Sequence, residues 1–154
     1  MKQHFLLCAL LLPCLVSGAC SPDGDTMRDG YYSARAVSFN EDGWKAFITL
    51  YVHNDRIITV EYNERNASGL VMSWDVLYLS RLKAAVGAHP NQILRGYTAE
   101  LLNRQNPENI RRVRGDTRFY DTFKTLAAVA VAQAKAGDKT VAEIPLPRIA
   151  AETR

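Results

Sequence analysis

The chain has 154 residues, 47% of them hydrophobic, with 19 Lys and Arg against 16 Asp and Glu and a formal net charge of +3. That length supports one domain with its own core. The charge balance excludes the basic footprint of a nucleic-acid-binding protein. The three Cys, all near the start, exclude a disulfide scaffold.

Met1-Lys2-Gln3-His4 makes a short positive start, Phe5 to Val16 an apolar run, and Ser17-Gly18-Ala19-Cys20 a small-residue stretch ending in Cys. At roughly 12 residues the apolar run is too short for a bilayer, which needs about 20, so residues 1–19 read as a secretory signal peptide. The Ser-Gly-Ala-Cys ending resembles a bacterial lipobox, with Ser17 where Leu is usual. By that resemblance Cys20 becomes the acylated first residue of the mature chain and its point of attachment to membrane lipid. The implied location is the cell envelope, on the extracytoplasmic side, either periplasmic or at the cell surface. Ser21 after Cys20, in place of Asp, favours an outer membrane where the host has one. Cys8 and Cys14 leave with the signal, so no internal disulfide can form. Loss of Lys2 leaves a mature charge of about +2.

Residues 20–28, polar and rich in Asp and Gly, read as a tether. Asp29-Gly30 is a turn signal, and Tyr31 to Ser38 a strand. After a polar turn from Phe39 to Gly43, the run Trp44 to Val52 alternates, with Ala46, Ile48, Leu50 and Val52 on one face. His53 to Arg56 is a turn, and Ile57 to Tyr62 a second alternating, β-branched run, so the pair predicts a β-hairpin. Asn63 to Ser68 reads as a polar connection broken by Gly69. Trp74 to Val86 has helical spacing, with Trp74, Val76, Leu77, Leu79, Leu82, Ala85 and Val86 as its apolar positions. Gly87 stops that helix, and Pro90 starts another that runs to about Gln105, with Ile93, Leu94, Tyr97, Leu101 and Leu102 inward. Asn109 to Val113 is a short extended piece. The Ala-rich run Thr125 to Ala136 is a third helix, stopped by Gly137-Asp138. The tail, residues 139–154, adds one strand around Val141 to Ile144. Strands first and helices later predict an α+β fold, a small antiparallel hairpin sheet packed against about three helices.

Ahead of the third helix lies Arg114-Gly115-Asp116-Thr117-Arg118. Together with Gly43-Trp44, Asn63…Gly69…Ser73, Tyr78 to Lys83, Gly87…Pro90 and the closing Ala-Lys-Ala-Gly, this segment resembles the FMN-binding-domain family. The resemblance is to its small flavin-carrying bacterial lipoproteins, relatives of the flavinylated domains of membrane quinone and ferredoxin oxidoreductases. It spans about Asp29 to Gly137 and implies a domain over residues 29–138. In that family a Ser-Gly-Ala-Thr motif carries FMN phosphoester-linked to its Thr by a separate flavin transferase. Carried over by position, Thr117 is the attachment residue, Gly115 lets phosphate approach the backbone, and Arg114 and Asp116 stand in place of Ser and Ala. The implied protein is an electron carrier with a membrane redox partner, rather than a catalyst with its own substrate. The alternative is the same fold without cofactor, an envelope lipoprotein with a binding or structural role.

The residues themselves bear on both readings. An anion on Thr117 would sit at a helix N-terminus, where free N–H groups and the dipole favour it. Arg111, Arg112, Arg114 and Arg118 could pair with it, and Trp44, Trp74, Phe119 and Tyr120 are candidates to stack on a flavin ring. Asp116 opposes it: two like charges ~5 Å apart cost about 1 kcal/mol in water and about 3 at an effective dielectric near 20. Without a ligand, Asp116 or Thr117 caps the helix, and Phe119, Phe123, Leu126 and Ala130 are core in either case. His53 and His89 lie at turns with no Cys partner, so no metal set is expected, and no nucleophile elbow, P-loop or dinucleotide fingerprint is present.

Overall fold

The computed structural model describes residues 25–146. The predicted signal peptide, Cys20, the first part of the tether and the end of the tail lie outside the described residues. The hairpin forms as expected from strands β2 (Trp44–His53) and β3 (Arg56–Asn66), joined at Asn54 and Asp55 with φ of 50° and 57°. Positive φ at both central residues is the hairpin turn whose twist matches that of the strands. β1 (Gly30–Ala36) pairs antiparallel with β2, and β4 (Ala142–Ile144) pairs parallel with β1, so the sheet order is β3-β2-β1-β4. The sheet is therefore mixed, not purely antiparallel: α3 returns the chain to the β1 edge in the same direction.

The alternation in β2 places Ala46, Ile48, Leu50 and Val52 inward, each no more than 5% exposed. They share that face with Tyr32 and Ala34 of β1 and with Ile57, Tyr62 and Glu64 of β3. The opposite face is partly open and is closed by local pairs, such as Tyr31 stacked on Tyr51 at 4.8 Å and Ser33 bonded to Thr49 at 2.9 Å. β3 runs four residues beyond the predicted strand, because Glu64, Arg65 and Asn66 continue the ladder opposite Ala46, Lys45 and Trp44.

Three helices follow: α1 (Val76–Val86), α2 (Pro90–Arg104) and α3 (Tyr120–Ala136). Asp75 caps α1 by accepting the Tyr78 N–H at 2.9 Å, and Gly87 closes it at φ 73°. α2 begins with Pro90 at its first position, where the missing N–H is harmless. It buries Ile93, Leu94, Tyr97 and Leu101 against β3, and α3 lies across β1 and β2. The Gln105 side chain ties the end of α2 to the strand, accepting the Ile57 N–H at 2.7 Å and donating to the Ile57 carbonyl at 3.0 Å. In α3 the expected Phe123, Leu126 and Ala130 are all fully buried, and Phe119 beside them is 1% exposed.

The apolar side predicted for the first helix is only partly covered. Trp74 lies in a 3-10 turn (Met72–Trp74) and is 73% exposed, and Val76 and Leu77 are also open. Leu79 is buried and Leu82 packs on the core. The reason is position: α1 packs mainly on α2 and the 3-10 turn and meets the sheet at one end, with Tyr78 against Trp44 at 5.1 Å.

Candidate functional site

The segment before α3 is built around one carboxylate. The Asp116 N–H closes a turn on the Val113 carbonyl at 3.0 Å, with Gly115 between them at φ 84°. A side chain at position 115 would need left-handed backbone, and its Cβ would lie 2.9 Å from the Ala88 Cβ. Asp116 is 6% exposed. Its Oδ1 accepts the N–H groups of Arg118 and Phe119, each at 2.8 Å, and its Oδ2 accepts the Tyr97 hydroxyl from α2. The Tyr97 oxygen in turn accepts the Val113 N–H at 3.2 Å. Burial, and then the bond to Asp116, push the Tyr97 hydroxyl well above its ordinary value, so it stays protonated and donates. Asp116 thus caps the approach to α3 and locks the turn to α2.

Arg118 turns inward. Its Nη2 meets Glu64 Oε2 at 2.9 Å, and its Nη1 meets Asp42 Oδ2 at 2.9 Å and the Tyr78 oxygen at 2.6 Å. The Tyr78 hydroxyl donates to Asp42 Oδ2 at 2.8 Å. One guanidinium therefore joins the β1–β2 loop, β3, α1 and the turn before α3. Burial raises the Glu64 carboxyl, and Arg118 opposes that rise. Burial also pushes the Tyr78 hydroxyl up to about 12. Planar donors of this kind suit a partly buried two-carboxylate site.

The other predicted site residues divide. Thr117 and Arg114 are exposed, and Arg114 has no ion pair among the described residues. Arg112 lies over the Tyr120 ring at 4.5 Å and within 3.7 Å of Asp121. Of the four candidate stacking rings, Trp44 and Phe119 are buried, and Tyr120 is half-buried with its hydroxyl on the Ile110 carbonyl at 3.2 Å. Trp74 is open. The two amides that follow Thr117, those of Arg118 and Phe119, already bond Asp116 ahead of the helix start, and the Arg118 guanidinium is shared by Glu64 and Asp42.

Asp42 and Glu64 were not singled out from the sequence, and Tyr97 and Tyr78 were named only as an inward helix residue and as part of the resembling segment, not as partners at this site. Glu64 carried a usable signal, since it continues the inward parity of Tyr62; reading residues 63–68 as a loop hid it. The partners of Asp116 and Arg118 come from distant segments and left no mark on the local pattern.

The fold and site define a small α+β domain in which a mixed four-stranded sheet carries two packed helices and one peripheral helix. No family model matches the chain. It is 30% identical over 138 residues to the 15 kDa lipoprotein of Treponema pallidum (strain Nichols), across 90% of this chain and 94% of that protein. The chain belongs to the family of that lipoprotein. Its fold is shared by the CPE2226 protein of Clostridium perfringens, with a TM-score of 0.75 at 23% identity over 79% of this chain and 100% of that one. A solution structure from Clostridium thermocellum aligns with a TM-score of 0.43 at 25% identity, over 79% and 99% of the two chains.

Proposed function

We propose that this protein is a lipid-anchored component of the bacterial cell envelope, held on the extracytoplasmic side by acyl chains on Cys20, and that its domain acts as a binding module with no flavin on Thr117. The lipid anchor is supported by the signal-like start, the small-residue stretch before Cys20 and the lipoprotein relative. Each buried methylene of an acyl chain contributes roughly 0.8 kcal/mol, so several chains on one Cys hold a domain firmly without a spanning helix. The observation that supports the flavin-free reading is Asp116: its carboxylate is committed to the two amides that follow Thr117 and to the Tyr97 hydroxyl.

A second reading, FMN joined to Thr117 and an electron-carrying role, is favoured by the exposure of Thr117 on a turn flanked by the exposed Arg112 and Arg114. One experiment separates the two. The full chain is produced in a periplasm together with a flavin transferase, then denatured and examined for in-gel flavin fluorescence and intact mass. The expected result is a dark band whose mass carries lipid and no flavin, with Cys20→Ser moving the protein out of the membrane fraction. A fluorescent band that vanishes in Thr117→Ala establishes the second reading instead.

A further inference from the structure

α1 is apolar on two sides and covered on one. At about 100° per residue, Tyr78, Leu79 and Leu82 fall on the side toward the domain, where Leu79 is buried and the other two pack on the core. Val76, Leu77, Ser80 and Ala84 fall on the outward side, with Lys83 at one border and Arg81 at the other. All six are exposed, Val76 at 71% and Leu77 at 78%. Trp74, just ahead of the helix, is 73% exposed. A single open apolar residue is ordinary, but three within four positions mark a surface that meets something. The hydroxyl on this side is satisfied within the helix, since Ser80 donates to the Val76 carbonyl at 2.9 Å.

Charge and reach point to one occupant. α1 contains no Asp or Glu, and Arg81 and Lys83 form no ion pair among the described residues. An apolar stripe between two long cationic side chains is the pattern of a helix lying in a bilayer interface. There the stripe enters the acyl boundary and the cations reach the lipid phosphates. A Trp at one end suits the same depth. Eleven residues are too few to cross a bilayer. Five residues separate Cys20 from Asp25, a reach of at most about 17 Å. Asp25 pairs with Lys135, and the Met27 N–H bonds Asp55 in the β2–β3 turn at 2.7 Å. The tether thus leaves the domain beside that turn, while α1 lies by the other end of the hairpin, where Tyr78 packs on Trp44.

We propose that the outward side of α1, with Trp74, lies on the surface of an anionic phospholipid bilayer, as a second attachment beside the acyl chains on Cys20. The two contacts stand at opposite ends of the domain, so together they lay it on its side. Tyr78, bonded to Asp42 and Arg118, fixes the inner side of α1 and keeps the outer side presented. The proposal rests on the lipid-anchor reading for the nearness of the membrane and does not involve Thr117.

The test uses the mature full-length protein in vesicles of equal parts phosphatidylglycerol and phosphatidylcholine, and of phosphatidylcholine alone. Intact mass reads the lipid on Cys20 independently; a chain without lipid is added to the same vesicles and read the same way, so a missing anchor and a missing α1 contact are told apart. The readout is tryptophan fluorescence with acyl chains brominated near the headgroup, and Trp74→Phe identifies the share of Trp74. The expected result is quenching of Trp74 by bromolipid in the anionic vesicles, with a blue-shifted emission. Leu77→Ser removes both and leaves the Tm of the detergent-solubilised protein unchanged, because the residue touches little of the domain. Arg81→Gln and Lys83→Gln each shift the balance of quenched and unquenched Trp74 by about fivefold, and about 1 M salt shifts it the same way. The proposal is overturned if bromolipid leaves Trp74 unquenched, or if quenching is equal in Leu77→Ser or in phosphatidylcholine alone. A Trp74 that stays open to aqueous acrylamide in the anionic vesicles also overturns it, and points α1 at a protein partner instead.

Discussion

Replacing Asp116 by Ala removes a side chain that makes three hydrogen bonds from a nearly closed position. The bonds to the Arg118 and Phe119 amides, in the turn ahead of α3, contribute about 1 kcal/mol. The Tyr97 hydroxyl, fully buried, loses its acceptor, which costs about 1–3 kcal/mol more. The expected loss is therefore about 2–4 kcal/mol, or about 10 °C in Tm for a domain of this size. Asp116→Asn keeps the capping oxygen and the shape, but its amide nitrogen cannot accept the Tyr97 proton, so it should keep the backbone bonds and still lose about 1–3 kcal/mol. Urea unfolding of the mature protein measures both, read as a shift in midpoint at constant slope. If Asp116→Ala unfolds within about 0.5 kcal/mol of the parent, the carboxylate is not structural and the argument against a phosphate at this helix loses its basis.

Removing one partner of the buried pair should be worse than removing both. Arg118→Met leaves Glu64 buried and uncompensated and should cost about 3–5 kcal/mol, while the double variant with Glu64→Gln should recover part of that in a double-mutant cycle. The same carboxyl sets a pH dependence: burial raises Glu64 above its ordinary 4.5, so the folded state holds the proton longer than the unfolded chain. Its contribution to stability therefore falls as pH rises from about 4.5 through the raised folded value, and Glu64→Gln should flatten that fall in unfolding curves taken across the range. Gly115→Ala forces a side chain into left-handed backbone at about 1–2 kcal/mol and against Ala88. It should lower the urea midpoint, whereas Gly43→Ala, also at positive φ but with open space around it, should lose only the backbone part.

Much of the architecture was legible because it rests on local patterns. The period-2 runs in β2 and β3 selected the inward residues, and Asn54-Asp55 announced the turn between them. Pro90, Gly87 and Gly137 marked helix ends at the positions where they act. Periodicity says that a helix has an apolar side but not that anything covers it. For that reason Trp74, Val76 and Leu77 count among the apolar positions of the first helical run and are nonetheless open to solvent. Glu64 was missed for the complementary reason: a charged residue reads as a loop or a solvated face until its counter-ion is known.

The chain by itself determined the elements, their order and the inward residues of β2, α2 and α3, since each follows from the spacing of apolar residues and from turn chemistry within a few positions. It also placed a carboxylate and an Arg beside Thr117. Only the tertiary structure decided what those two charges do. Asp116 meets Tyr97 from nineteen residues away, and Arg118 meets Glu64 from fifty-four and Asp42 from seventy-six. Separations of that length are closed by packing the sheet against the helices, which no local pattern encodes.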